Sequence, residues 1–141
     1  MMSIREQNLE TIAPVFASFI ISQTATVDDL KDTDISKAVT LTGDYEVGPC
    51  ASGSILLGKL VSLTLTDADD GERVATVQVG GICRLTTSST YPVVGNRVIG
   101  GASGTVKQAA ALGGNDPAGG NIARGTVLEV NGTTDCTILL N

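Results

Sequence analysis

The segment Asp67-Ala-Asp-Asp-Gly-Glu72 places four carboxylates within six residues, and a loop of this kind can bind a calcium ion. In an EF-hand loop the acidic residues alternate at positions one, three and five, and a glycine follows at position six. Here Asp69 and Asp70 are adjacent, and Gly71 comes one position early. The spacing therefore favours a solvated hairpin tip, and weak cation binding stays open as the alternative.

Two further segments resemble known chemical motifs. Gly100-Gly-Ala-Ser-Gly-Thr-Val-Lys107 is glycine-rich and ends in lysine, but in a phosphate-binding loop the lysine directly follows the last glycine and a helix comes next. Here two residues intervene and a strand is predicted to follow, which favours a turn. Asn131-Gly-Thr133 is formally a glycosylation sequon, but without a convincing secretion signal it is more simply an Asn-Gly hairpin turn.

The residue types that usually carry catalysis are scarce. The chain has no histidine, which removes the commonest general base and most zinc sites. It also has no tryptophan, a residue that commonly lines a sugar-binding cleft. Its three cysteines, Cys50, Cys83 and Cys136, are far apart and lack a C-x-x-C spacing. We expect them to be small buried apolar residues. The sequence predicts a protein that is not an enzyme and that uses no metal and no cofactor.

Charge and composition exclude other classes of function. The 141 residues contain 9 Lys and Arg against 15 Asp and Glu, a net charge of −6, so nucleic acid is not an expected partner. The apolar run 12–21 is about half as long as a membrane span, so no membrane contact is expected either. A hydrophobic fraction of 42% is enough for one folded core. We expect a soluble chain that is made in a reducing cytoplasm.

The elements that must position these residues change in character near residue 36. From residue 37 to 141, short β-type runs alternate with glycine turns, which predicts an all-β barrel or sandwich. The clearest signal is a hairpin of residues 63–66 with 74–79. Gly58 marks a possible bulge, Gly80-Gly81 predicts a sharp strand bend, and residues 109–120 have the composition of a loop.

Residues 1–36 read as an N-terminal arm and linker that precede this domain. Their apolar side chains fall at helical spacing, but an extended arm is the competing interpretation. Both phenylalanines of the chain lie in this segment, outside the predicted barrel, so the arm must bury itself against its own barrel, a sister subunit or another protein. The predicted binding residues of the arm are Ile12, Val15, Phe16, Phe19, Ile20 and Ile21.

The stretch from Lys37 onward resembles a known family in the order and spacing of several turn-and-strand phrases. These phrases are Lys37-Ala-Val-Thr-Leu-Thr-Gly-Asp44, Val47-Gly48, Ala51-Ser-Gly53, Gly58-Lys-Leu60, Val77-Gln-Val-Gly-Gly81, Pro92-Val-Val-Gly-Asn-Arg-Val98, Gly104-Thr-Val-Lys107 and Ala123-Arg-Gly-Thr-Val-Leu-Glu-Val130. Together they are similar to the decoration, or cement, proteins that stabilise the heads of tailed bacteriophages, of which the lambda head decoration protein is one type.

The resemblance implies a small β-barrel of the β-tulip type that forms a trimer. It implies a structural protein of the virion that binds the outer surface of the mature capsid at three-fold and quasi-three-fold positions and stabilises the shell against internal DNA pressure. The implied partners are the major capsid (coat) protein and two further copies of the chain. Assigning the coat contact to the arm rests on the apolarity of the arm. The alternatives are a tail- or fibre-associated trimerisation module, or a small ligand-binding β-barrel.

Overall fold

The structure is a computed structural model that describes residues 14–64, 73–110 and 123–141. Ile12, the acidic loop 67–72 and positions 111–120 of the predicted loop lie outside the described residues. The described part is all-β and contains no α-helix, only two 3₁₀ turns. Its strands are β1 (Val15–Ile21), β2 (Gln23–Thr24), β3 (Val27–Asp28), β4 (Ala38–Gly43), β5 (Glu46–Pro49), β6 (Gly58–Leu63), β7 (Val74–Thr86), β8 (Val98–Gly101), β9 (Thr105–Gln108), β10 (Thr126–Asn131) and β11 (Asp135–Leu140).

Five of these strands close into a barrel. The order is β1-β5-β4-β6-β7, and an antiparallel pairing of β1 with β7 completes the ring. The β1–β5 contact is parallel and short, with Ile20 opposite Glu46 and Ile21 opposite Val47. The predicted β-barrel is thus confirmed at the level of a closed, all-β architecture.

The long strand β7 links the barrel to a second layer. Its barrel partners end at Gly80, and from Gly81 onward it pairs with β11, which in turn pairs with β10. Gly81 has a φ of +87°, which glycine adopts without steric cost. The Gln78 side-chain amide donates to the carbonyl oxygens of Gly80 and Ile82, both at 3.0 Å. The strand therefore changes partners at the glycine pair where the sequence predicts a bend.

Both predicted hairpins are present. Strands β6 and β7 are antiparallel, with Leu63 opposite Ala75, and the turn after Asn131 joins β10 to β11. The glycine-rich segment is the β8–β9 hairpin, closed by the 3₁₀ turn Ala102–Gly104, so it is a turn as predicted. Gly58 does not mark a bulge, because the register shift of β6 against β7 lies between Leu60 and Ser62.

Two buried clusters fill the molecule. One cluster lies inside the barrel and consists of Phe19, Ile21, Leu30, Val39, Val47, Leu60, Ala75 and Val77. The other lies beneath the second layer and includes the three cysteines, Leu56, Leu85, Val98, Val106, Val127, Ile138 and Leu140. Apart from Phe19, both clusters are made of aliphatic and small side chains, as expected for a chain with so few aromatic residues.

The N-terminal segment differs from the prediction in two respects. Residues 15–21 form a strand, so the helical alternative is wrong for this part and the extended one is correct. The strand is also part of the barrel, because Phe19 and Ile21 are 8% and 7% exposed in the barrel core. The prediction that both phenylalanines lie outside the barrel is therefore wrong for Phe19. The apolar run has large side chains at both odd and even positions, so its spacing fits a helical face and a strand equally well.

Candidate interaction surface

Strand β1 has a buried face and an exposed face. Successive side chains of a strand point to opposite sides of the sheet. Phe19 and Ile21 point into the barrel, whereas Phe16 and Ile20 point outward and are 50% and 45% exposed. Val15, at the start of the strand, is also exposed. Of the predicted binding residues, the structure thus leaves Val15, Phe16 and Ile20 accessible and places Phe19 and Ile21 in the core.

One edge of β1 is only partly paired. The Ile20 N–H donates to the Tyr45 carbonyl oxygen at 2.8 Å and the Ser22 N–H donates to the Val47 carbonyl oxygen at 2.9 Å, so these groups face β5. By the alternation of a strand, the backbone groups of Phe16 and Ser18 lie on this same edge. Within the described ranges no strand pairs with that stretch of the edge. It is a position at which a further strand can add.

An apolar groove lies at the end of the barrel beside the β4–β5 turn. Phe19, Leu41, Gly43, Asp44 and Tyr45 line a space of about 470 Å³. Tyr45 is 78% exposed and its ring centroid lies 6.5 Å from that of Phe19. Leu41 is about half exposed although it sits opposite the buried Val47, and the β4–β5 register shifts between Leu41 and Gly43. We name this space the Tyr45 groove.

A second groove, more polar, begins on the other side of Glu46. Its lining is Ile20, Ile21, Gln23, Asp28, Glu46 and Arg73, around about 230 Å³. The Arg73 guanidinium is held by Asp32 at 2.6 Å and donates to the Thr64 carbonyl oxygen at 2.6 Å. The Gln23 amide donates to the Asp28 carboxylate at 2.9 Å. The groove is thus bordered by carboxylates, and Arg73, the one cation among its described lining residues, is already ion-paired.

The β2–β3 hairpin beside this groove is fixed by a carboxylate. Asp29 accepts hydrogen bonds from the hydroxyls of Ser22 at 2.7 Å and Thr24 at 2.8 Å. These bonds stabilise the charged form and lower the pKa of Asp29 below its ordinary value. Asp29 therefore stays ionised at neutral pH and serves to hold the hairpin.

A third groove of about 380 Å³ shares Leu41 with the Tyr45 groove and ends at Arg124. The guanidinium of Arg124 donates to the carbonyl oxygens of Leu56, Leu57 and Val79, which ties the barrel to the second layer. Burial lowers the pKa of Arg124, and the nearby Cys83 thiol opposes that shift. The contacts of Arg124 are those of a structural clamp between strands.

The three cysteines are buried in this fold, and none of them forms a disulfide. Burial raises the pKa of Cys50 to about 12, and burial together with the nearby Asp135 raises that of Cys136 to about 12. Because the thiolate is the nucleophile and the metal ligand, both groups are inert at neutral pH.

The described ranges contain no group of three His, Cys, Asp or Glu side chains arranged to hold a metal ion. None of the residues described in the structure forms a helix long and apolar enough to cross a membrane.

Comparison with known proteins identifies no relative: no family model, no curated protein and no solved structure matches the chain.

Sequence reasoning missed several exposed apolar residues outside the N-terminal segment. Tyr45 follows the Gly43-Asp44 turn signal directly, and a large aromatic side chain at a turn is a sign of exposure that the sequence does contain. Val93 and Val94 are 57% and 62% exposed at another turn, in which Asn96 accepts a hydrogen bond from the Val93 N–H at 2.8 Å. That the Leu41 side chain is exposed could not be read from the alternation of β4.

Proposed function

We propose that this protein is a non-catalytic structural protein of a bacteriophage virion, which binds the outer surface of the mature capsid as a trimer and stabilises the shell. The observation that carries the proposal is the exposed face of β1, on which Phe16 and Ile20 lie beside an incompletely paired strand edge, with Val15 exposed at the start of the strand. The sequence phrases from Lys37 onward support it by their resemblance to capsid decoration proteins, and the closed β-barrel is compatible with it.

The chemistry of this surface suits attachment to another protein. Large apolar side chains that remain half exposed are the usual anchors of interfaces. An unpaired strand edge adds backbone hydrogen bonds that require no particular partner sequence. A segment of the coat protein that pairs along Phe16 and Ser18 would use both features at once. Trimers bound at many equivalent positions would add avidity to individually weak contacts.

The experiment is a binding assay of purified protein on expanded capsids that lack it. Phe16→Ala and Phe16→Asp are the test variants, and Val94→Ser is the matched control because Val94 is similarly exposed in a turn outside β1. The proposal expects Phe16→Asp to lower capsid occupancy at least about tenfold while Val94→Ser has little effect. Equal occupancy of all variants would contradict the assignment of β1, and no binding of the unchanged protein would contradict the capsid role.

A further inference from the structure

We propose that the Tyr45 groove is a docking site for a protein segment that carries a large apolar side chain flanked by lysine or arginine. The groove and its rim belong to β4, β5 and the turn that joins them, with Phe19 of β1 as the floor. This inference does not rest on the proposed capsid role, because it concerns the chemistry of the groove in the isolated protein.

The lining of the Tyr45 groove is largely apolar. Phe19 is buried and supplies a fixed floor, while Leu41 and Tyr45 form walls that are 53% and 78% exposed. When a partner side chain enters a concave space and excludes water from the apolar side chains around it, the free energy falls. A groove of about 470 Å³ has room for one large aliphatic or aromatic side chain.

The backbone of Tyr45 supports a role in contact. Tyr45 has a φ of +51°, a left-handed conformation that favours glycine or asparagine and is uncommon for a bulky residue. The fold buries little of the Tyr45 side chain, so burial contributes little stability to offset this strain. A strained position that carries an exposed aromatic ring is typical of a binding site.

The rim of the Tyr45 groove carries carboxylates. Asp44 lines the groove, and Glu46 lies against Gly43, where an added Cβ would be 3.4 Å from the Glu46 carboxylate oxygen. Neither carboxylate has a cation within ion-pairing distance among the residues that the structure describes, and Asp28 adds a third carboxylate in the adjoining groove. Among the described residues that line the two grooves, Arg73 is the one cation, and it is paired with Asp32. The rim therefore attracts lysine or arginine.

The same charges argue against a second copy of this chain as the symmetric occupant. Two Tyr45 grooves that met face to face would place Asp44 and Glu46 of both copies together, and like charges at an interface are unfavourable. A basic partner is the complementary choice.

Two synthetic peptides test the proposal on the full chain: acetyl-Lys-Lys-Phe-Leu-Lys-Lys-amide and its counterpart with glutamate in place of every lysine. Binding is followed by amide chemical shifts and by fluorescence anisotropy at low and high salt. We expect the basic peptide to bind saturably, with the largest shifts at Phe19, Leu41 and Tyr45. The acidic peptide should bind at least about tenfold more weakly, and added salt should reduce the difference.

Variants separate the contribution of the apolar lining from that of the carboxylates on the rim. Leu41→Ser should weaken binding of the basic peptide about tenfold. The double variant Asp44→Asn with Glu46→Gln should weaken it about fivefold at low salt and flatten its salt dependence. Val94→Ser is the control and should bind as the unchanged protein does, and urea unfolding verifies that each variant is folded.

Several results would overturn the proposal. These are equal binding of the two peptides, binding of neither peptide, or amide chemical-shift changes away from the groove. A loss of peptide affinity in the Val94→Ser control as large as that in Leu41→Ser would also overturn it. A change in the sedimentation mass of the free protein on Leu41→Ser would assign the groove to a second copy and would also overturn it. Capsid occupancy is measured on particles, so a failure of the peptide experiment leaves the proposed function standing, and the reverse also holds.

Discussion

Phe16 and Phe19 lie three positions apart on β1 and point to opposite faces of the sheet. Phe19 is 8% exposed in the barrel core and Phe16 is 50% exposed. Phe19→Ala should lower the free energy of unfolding by about 3 kcal/mol, because it removes a buried ring and leaves a cavity. Phe16→Ala should change it by less than about 1 kcal/mol. Urea unfolding of both variants measures the difference.

Equal losses in the two variants would contradict the assignment of faces on β1. From the sequence, both phenylalanines were predicted to contact a partner. Both are large apolar residues, but their spacing does not show which face of the strand each one occupies. The pairing of β1 with β7 decides the faces, and such pairing depends on residues more than fifty positions away.

The buried thiols predict a loss of stability at alkaline pH. The pKa values of Cys50 and Cys136 rise from an ordinary value of 9.0 to about 12 on folding. The unfolded chain therefore releases these protons from about pH 9, while the folded chain keeps them until about pH 12. The stability they contribute is complete below pH 9 and falls as pH rises through that window, with a slope that approaches about 1.4 kcal/mol per pH unit for each thiol.

Urea unfolding between pH 8.5 and pH 10.5, under reducing conditions, measures this slope. The double variant Cys50→Ala with Cys136→Ala should show a shallower slope, whatever its stability at neutral pH, because it lacks the two thiols whose pKa values rise on folding. Identical slopes would show that the thiols are not buried as the structure has them.

At the scale of elements, the sequence predicts local pairings well and distant ones poorly. The β6–β7 and β10–β11 hairpins follow from turn residues and alternation. The closing pair β1–β7 and the parallel pair β1–β5 have no local signal, because they join segments separated by many residues. The Tyr45 groove depends on those distant pairings, since Phe19 of β1 reaches Leu41 and Tyr45 only after the barrel closes. It could not be predicted from the sequence for this reason.

The close approach of β6 to β7 makes Gly58 sensitive to substitution. A Cβ at Gly58 would overlap the Gln78 carbonyl oxygen, which is backbone and cannot move without shifting β7. At Gly43 the nearest atom to an added Cβ is the flexible Glu46 carboxylate at 3.4 Å, an ordinary contact. Gly58→Ala should cost about 2 kcal/mol or more, and Gly43→Ala less than about 1 kcal/mol, as measured by thermal or urea unfolding. A tolerated Gly58→Ala would contradict the pairing of these strands.

The β2–β3 hairpin has a strained turn that can be improved. Ala25 and Thr26 form its two-residue loop with φ values of +51° and +65°. A loop with positive φ at both positions favours Asn-Gly. Ala25→Asn combined with Thr26→Gly should raise the free energy of unfolding by about 1 kcal/mol. Gly132→Ala is the converse control and should lower the free energy of unfolding, because Gly132 has a φ of +56°. A lower free energy of unfolding in the Ala25→Asn, Thr26→Gly variant would contradict the turn geometry.

At the scale of the whole molecule, the barrel needs the segment that the sequence interpretation treated as an arm. Strand β1 pairs with β5 and β7, and Phe19, Ile21 and Leu30 fill the barrel core. Deletion of residues 1–36 should therefore abolish cooperative unfolding. Deletion of residues 1–13 is the control, because it leaves β1 and the other described strands in the chain, and we expect cooperative unfolding to be kept. Circular dichroism with urea titration distinguishes the two, and a stable fold after the longer deletion would show that the arm is separable.

The proposed capsid role is tested most directly by a reconstruction of the intact virion that contains this chain. The account predicts three-lobed density on the outer surface of the shell at three-fold positions, into which the barrel fits with the exposed face of β1 against the coat protein. Density at the tail or fibres, or a shell without added density, would contradict it.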